Sequence, residues 1–377
     1  MKELANIVAE AQRARSAGKS VALATVVDVE GSAYRLPGAR MLIADGKWIA
    51  GSISGGCLED DVVMRAQEAI AKDEALVTTY DTTSDDDIVF GVGLGCKGII
   101  TILIEPIRRD DHGVDFLGFA KSCLEDRTPG VVATVIRVQG RTAAKPGSRF
   151  VSRLEERRSD IGDRELNSKI EAAIAHMPEA TKLMTVSLGH DSAEVFVERI
   201  EPPTPLVVFG AGHDAMPVVR LAKELGWHVT LVDHRPAYAT AARFPLADRI
   251  LISTPSEVSS KVALTNGTLA LVMTHNYLRD LELLEMLLPS PVRYLGLLGP
   301  RRRTDQLLAD LQQKGVGPTS DQLSRFYAPV GLDIGSEGPI EVALSILSEM
   351  QAVMTRHPGS HLKERKRPIH SDLVGIA

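Results

Sequence analysis

Cysteine is scarce in this chain, at three residues in 377: Cys57, Cys96 and Cys123. An odd, sparse set excludes a disulfide framework and fits a reducing compartment. Aromatic residues make up only 4%, too few for the stacking platforms of a single-strand nucleic-acid binder. A formal net charge of −6 provides no basic field to attract a polyanion. No apolar run is long enough to predict a transmembrane helix. The first residues place Leu4, Ile7, Val8 and Ala11 at helical spacing among charges, without the apolar stretch of a signal peptide. No C-x-x-C spacing occurs, so a structural zinc is not expected. Asp81, Asp85, Asp86 and Asp87 lack the ordered spacing of a calcium loop and read as a solvated turn. Together these absences lead to the expectation of a cytoplasmic protein with no nucleic-acid or membrane partner.

What is present is ordinary globular usage, 44% hydrophobic and 24% charged. The length suggests two or three domains. Residues 1–200 read as a mixed α/β domain with a core in 1–110 and an extension in 111–200. After a first helix ending near Gly18, a β-branched strand runs from Val21 to Val29 and a second from Ala39 to Ile43. Asp45-Gly46 predicts a tight hairpin into Trp48–Ile53. Ser54-Gly55-Gly56-Cys57 then opens a helix over 58–71, with Leu58, Val62, Ala66, Ala69 and Ile70 on one face. Further strands are predicted at 75–80 and 99–105, separated by a glycine-rich run, Gly91 to Gly98.

The stretch Ala133–Arg149 echoes Ala24–Arg40 without gaps at an offset of 109 positions. Ala24, Thr25, Val26, Val29, Gly31, Pro37, Gly38 and Arg40 all recur. This predicts a repeated strand–turn–strand unit. The second copy keeps the Pro-Gly turn but lacks Ser-Gly-Gly-Cys, so the fold is repeated and the candidate chemistry is not. Residues 201–205 contain three prolines and read as a stiff linker. Beyond it strands alternate with helices, which predicts a doubly wound parallel sheet over 206–356, followed by a basic, flexible tail at 357–377.

Leu206–Phe209 is a short apolar strand running directly into Gly210-Ala211-Gly212-His213-Asp214-Ala215. This is a G-x-G-x-x-A pattern, with Gly210 for the tight turn and Gly212 for close backbone approach to a pyrophosphate. A second strand ends in Asp233, where a carboxylate would bond ribose hydroxyls, and Arg235 nearby would suit a phosphate. Arg301, Arg302 and Arg303 at a later helix start either hold a phosphate or form a solvated basic turn. An NAD-dependent oxidoreductase using His275 and Tyr277 is the alternative such a domain suggests. The motif itself implies a nucleotide-like ligand and does not specify hydride transfer.

Cys57 precedes a helix, where partial positive charge favours the thiolate, the nucleophilic and metal-ligating form. Glu59, Asp60 and Asp61 oppose that effect. Cys96 lies in Gly91-Val92-Gly93-Leu94-Gly95-Cys96-Lys97-Gly98, with a cation beside it. The bland reading of each is a small buried hydrophobe; their shared glycine-rich setting argues for backbone that closely approaches a ligand. Cys123 has no such context and reads as core.

These residues resemble the XdhC/CoxI family, the xanthine dehydrogenase accessory factors. The resemblance rests on Gly51 through Glu59, on Gly93-Leu94-Gly95-Cys96, on Gly210-Ala211-Gly212-His213, and on Asp233-His234-Arg235. It continues through Tyr294–Gly299 and Gly331–Gly335, and is least distinctive over 112–200. It implies an accessory chaperone, not itself an enzyme, that binds molybdenum cofactor as molybdopterin or its dinucleotide. Such a protein assists sulfuration with a cysteine desulfurase and delivers the cofactor to a molybdenum hydroxylase apo-enzyme. On that reading Ser54, Gly55, Gly56, Cys57, Gly95, Cys96, Gly210, Gly212, His213, Asp233 and Arg235 contact the cofactor, with Cys57 and Cys96 the candidate molybdenum or sulfur contacts. Lys97 departs from the glycine usual in the family. A second chain closing the glycine-rich cleft would make a homodimer.

Overall fold

The computed structural model describes residues 2–82, 98–107, 113–175 and 181–366. They divide into two compact units, Glu3–Pro202 and the chain from Pro203 on.

The first unit starts with α1 (Lys2–Ser16), whose Ile7, Val8, Ala11 and Ala14 turn one apolar face inward. Gly18, at φ 76°, takes the left-handed conformation that ends it. Strands β1 (Val21–Gly31), β2 (Arg40–Ala44) and β3 (Lys47–Gly51) follow, then α2 (Glu59–Lys72), β4 (Leu76–Asp81) and β5 (Gly98–Pro106). Asp45 and Gly46 both have positive φ, 47° and 68°, the backbone a tight β2–β3 hairpin requires. The five strands form one antiparallel sheet in the order β3-β2-β1-β5-β4.

The chain then repeats this plan. Helix α3 (Phe116–Glu125) precedes β6 (Gly130–Gln139), β7 (Arg149–Arg153) and β8 (Glu156–Ser159), and α4 (Arg164–Ala175) precedes β9 (Lys182–Leu188) and β10 (Asp191–Ile200). The second sheet has the matching order β8-β7-β6-β10-β9. The echo seen in the sequence over β1–β2 and β6–β7 is therefore part of a duplication of seven elements. Even the irregularities coincide: Val27 interrupts the β1–β5 register and Ile136 the β6–β10 register, 109 positions apart.

Each sheet packs one face on its own helix. Ala22, Ala24, Val26, Ile102 and Ile104 meet Val62, Ala66 and Ala69 of α2, and Ala133, Val135, Val195 and Val197 meet Leu166 and Ile170 of α4. The other faces share cores with α1 and α3, and Val27, Leu103, Ile136 and Phe196 come together between the sheets. Burying each Val, Leu, Ile or Phe side chain among these contributes about 1.5–3 kcal/mol.

At this junction the repeats exchange ion pairs reciprocally. Arg40 of the first bonds Glu198 of the second, and Arg149 of the second bonds Glu105 of the first. All four side chains are at most 9% exposed. The ring of Phe116 lies 4.4 Å from the Arg40 guanidinium and 5.5 Å from that of Arg149. With Thr25 and Thr134 these residues line a cavity of about 10 Å³.

The second unit is a parallel sheet ordered β13-β12-β11-β14-β15-β16. In chain order its elements are β11 (Pro205–Phe209), α5 (Ala215–Glu224), β12 (His228–Asp233), β13 (Arg249–Ile252), α6 (Pro255–Lys261), β14 (Leu269–Val272) and α7 (Tyr277–Leu287). They continue with β15 (Tyr294–Leu297), α8 (Arg301–Gln313), α9 (Ser320–Ser324), β16 (Phe326–Tyr327) and α10 (Pro339–Thr355). Strands β11, β14 and β15 are apolar on both faces because α5 and α10 cover one side while α7 and α8 cover the other. The order reverses between β11 and β14. In such sheets that switch point, at the carboxyl ends of the strands, is where a ligand crevice forms.

Candidate functional site

In the first unit the candidate chemistry sits on the seven residues between β3 and α2. Glu59, the first residue of α2, is buried at 2% exposure and turns back under the loop. Its carboxylate accepts the amides of Ile53, Ser54 and Leu58 and the Ser54 hydroxyl. The Ser54 oxygen in turn accepts N–H groups from Gly56 (3.1 Å), Cys57 (3.1 Å) and Leu58 (3.2 Å). The Cys57 thiol donates to the same oxygen at 3.4 Å. One buried acid thus fixes one hydroxyl, and that hydroxyl gathers the loop so that Cys57 stands exposed at its tip.

The glycines explain themselves in this geometry. Gly56 has φ 112° with open space where a side chain would lie, and Gly55 rests against the Tyr34 ring, which is 66% exposed. Arg35 holds the adjoining turn, donating to both Glu3 oxygens at 2.7 Å and to Ser52 at 3.2 Å. Of the acids expected to oppose a thiolate at Cys57, Glu59 is committed to Ser54. Asp61 bonds Tyr80 (2.5 Å) and Arg65 (2.6 Å), on β4 and α2. Burial alone would raise the Asp61 pKa; the tyrosine and arginine bonds outweigh it and hold it below the usual carboxylate value.

Gly95, Cys96 and Lys97 lie outside the described residues. Their connection leaves β4 at Thr82 and rejoins at Gly98, and these two residues are clamped by bonds of 2.7, 2.9 and 3.1 Å. Gly98 pairs with Gly31, and a side chain on it would strike the Glu30 and Ser32 carbonyls. The rejoining point is therefore beside the turn that carries Tyr34. Cys123 is fully buried on α3, and burial pushes its thiol up to about 11. In the second repeat, the place of Ser-Gly-Gly-Cys is taken by a four-residue turn ending in Asp163. That carboxylate makes an ordinary helix cap on Leu166 N at 3.0 Å.

In the second unit the glycine loop lies at the switch point. Gly210 has φ 115°, and a side chain on it would overlap the Met273 carbonyl after β14. Asp233 is placed at the end of β12, as the motif requires, yet its carboxylate is not free for ribose. It accepts Ala211 N (2.7 Å), Arg235 N (2.9 Å), Arg235 Nε (3.0 Å) and Arg235 Nη2 (2.8 Å), and its side chain is 2% exposed. Burial would raise its pKa; the arginine and two amides overcome this and hold it below the ordinary range. Arg235 and Arg243 both stack on Tyr238, at 4.0 and 4.9 Å. His213 is exposed.

His275 and Tyr277 do not form the proton-transfer pair that a dehydrogenase would use. Tyr277 donates to Asp310 at 2.7 Å, and burial followed by that bond pushes its phenol up to about 12. His275 instead bonds Asp214 at 2.6 Å. Sequence reasoning passed over Asp214, Tyr34 and the bridging role of Glu59, because each depends on a partner whose position only the fold supplies. Among the described residues no cluster of three or more His, Cys, Asp or Glu is arranged to hold a metal. Nor is any helix there long and apolar enough to cross a membrane.

Known family models match within each of the two units. Residues 206–350 match the XdhC Rossmann domain, and residues 14–81 match the XdhC and CoxI family. A Bacillus subtilis protein named as a probable xanthine dehydrogenase component is 33% identical over 328 residues, 87% of this chain and 91% of its own length. The Escherichia coli molybdenum cofactor insertion chaperone PaoD is 22% identical over 346 residues, 91% of this chain and 86% of its own. A Bacillus halodurans crystal structure described as a xanthine dehydrogenase matches with a TM-score of 0.74 and 27% identity, covering 97% of this chain and 99% of that one.

Proposed function

This chain belongs to the XdhC and CoxI family, and from that premise we propose that it is an accessory protein for molybdenum cofactor. It binds the cofactor as cargo, assists its sulfuration with a cysteine desulfurase as sulfur donor, and delivers it to a molybdenum hydroxylase apo-enzyme of the xanthine dehydrogenase type. The relative named as a cofactor insertion chaperone supports this reading. The observation that carries it to particular atoms is the Cys57 loop. A cysteine sulfur is a soft ligand suited to a transition metal, and here the Cys57 thiol stands exposed on a loop held by Ser54 and Glu59. Gly56 leaves the backbone beside it uncovered, so a bulky pterin can approach it there, next to the exposed Tyr34 ring against Gly55.

Cys57 is the candidate molybdenum or sulfur contact, with Cys96 its proposed companion. The rim of the second unit's crevice, Gly210, Gly212, His213 and Arg235, with the buried Asp233 holding Arg235 in place, is proposed as a separate surface for the organic part of the cofactor. The test is to purify the chain from cells that make the cofactor and assay bound molybdenum and oxidised pterin fluorescence. The proposal expects both in comparable amounts with the protein, and no turnover of NADH. A chain free of pterin that oxidises NADH would overturn it in favour of a dehydrogenase.

A further inference from the structure

The crevice between β11 and β14 has the strand order and glycines of a dinucleotide site, but one loop amide is already taken by an acid of the protein and a second acid stands beside Gly212. The Ala211 amide donates to Asp233. Asp214 stands at the N-cap of α5, where its side chain would ordinarily accept a helix amide. It makes no such bond, and its carboxylate reaches His275 Nε2 instead. A side chain built on Gly212 would collide with the Asp214 carboxylate and lie 3.8 Å from the His275 ring. The space that this glycine keeps open for a pyrophosphate in a dinucleotide fold is here occupied by the Asp214–His275 pair. Asp233 is paired with Arg235, so the acid that a diphosphate would meet beside Gly212 is Asp214.

The pair is held from both sides. His275 has φ 58°, a left-handed conformation uncommon for a residue with a side chain. Both neighbours are pinned. Thr274 Oγ1 donates to Asp280 at 2.5 Å and accepts Asn276 N at 3.1 Å, while Asn276 caps α7 through Arg279 N at 3.0 Å. Asp280 is 1% exposed and paired with Arg303 at 2.5 Å. Strain of this kind persists where the surroundings over-determine it, and it concentrates at functional sites. Since a carboxylate only accepts, the proton of a neutral ring sits on Nε2 and that tautomer leaves Nδ1 with its lone pair, on a side chain 60% exposed.

We infer that His275, oriented by Asp214, is a ligand-reading residue that accepts a hydrogen bond from an N–H or O–H group, and that this crevice takes a donor-bearing heterocycle and rejects pyrophosphates. This rests on the accessory reading and deepens it: the amino-pyrimidinone edge of a pterin is such a donor group, whereas NADH and a cofactor dinucleotide present a diphosphate. His275 is the contact, and Asp214 is a positioning residue.

The test titrates the full chain separately with pterin, ADP and NADH, following pterin fluorescence and heat. Wild type should bind pterin, with ADP and NADH at least tenfold weaker. His275→Ala should weaken pterin at least tenfold. Asp214→Ser, which restores a good helix cap and removes the carboxylate, should weaken pterin and strengthen ADP at least tenfold. Nitrogen-15 spectra of the ring should report the Nε2–H form in wild type and a mixture in Asp214→Ser. Wild type that binds ADP or NADH as tightly as pterin would overturn the inference, as would pterin binding unchanged by His275→Ala. If the chain still carries molybdenum and pterin through Cys57 while His275→Ala binds free pterin normally, this inference fails and the accessory function stands.

Discussion

Arg149→Met is expected to destabilise the first unit by about 3–5 kcal/mol, because it leaves a carboxylate buried without its counter-ion. Glu105 is 7% exposed and takes both its charge-assisted bonds from Arg149 Nη2. No other cation pairs with it among the described residues, since the nearby Arg40 is committed to Glu198. A loss of this size is a fifth or more of the roughly 5–15 kcal/mol that holds a typical domain together. Arg40→Met should cost a similar amount through Glu198. Arg149→Met combined with Glu105→Leu should return to within about 1–2 kcal/mol of wild type, since no uncompensated charge remains. The two arginine substitutions together should cost more than their sum, as Glu105 and Glu198 line one small cavity. Opening free energies from hydrogen exchange, read by mass spectrometry on peptides from β5 and β10, give all four values in the intact chain. A change below about 1 kcal/mol for Arg149→Met, the worth of an exposed pair, would refute the argument that reciprocal buried pairs join the repeats.

Other outcomes follow from the two loops. Ser54→Ala removes the acceptor shared by three amides and should cost about 1–3 kcal/mol, lowering the thermal midpoint, with Ser54→Thr restoring most of it. Native protein treated with a maleimide should be labelled at Cys57 and spared at Cys123, whose buried thiol is pushed up to about 11; peptide mapping decides this. Asp233 has its folded pKa below the unfolded value near 3.8. Its contribution is therefore complete above that value and is lost as the pH falls through the lower folded one. Asp233→Asn should flatten the acid limb of a stability–pH curve below about pH 4 and leave the neutral region parallel to wild type.

Much of this fold was legible because the patterns were local. The glycine stop at Gly18, the Asp45-Gly46 hairpin and the strand–glycine–helix run at 206–225 each put the deciding chemistry within a few residues. The duplication was legible only over the strand–turn–strand stretch, where Thr25, Gly38 and Arg40 recur at a constant offset. Glu198 stands 93 positions after Glu105, because the intervening connections differ in length, so the offset that reveals the arginines hides their acids. The sites were legible as loops and not as networks. Cys57 and its glycines could be named, but that Glu59 folds back onto Ser54 depends on how α2 meets the sheet. Asp233 occupied its expected place, yet whether its carboxylate is free depends on where Arg235 points, which its neighbouring letters do not encode. His275 was noticed beside Tyr277 in sequence, while its partner is 61 positions away across the switch point.

The most direct test of the central claim is activation of a molybdenum hydroxylase apo-enzyme by purified chain loaded with cofactor, comparing wild type with Cys57→Ala. If the Cys57 loop is the cargo site, wild type restores hydroxylase activity, and Cys57→Ala, folded by circular dichroism, retains less than about a tenth of the molybdenum and of the activation. A Cys57→Ala chain that carries and delivers as much cofactor as wild type would contradict the account.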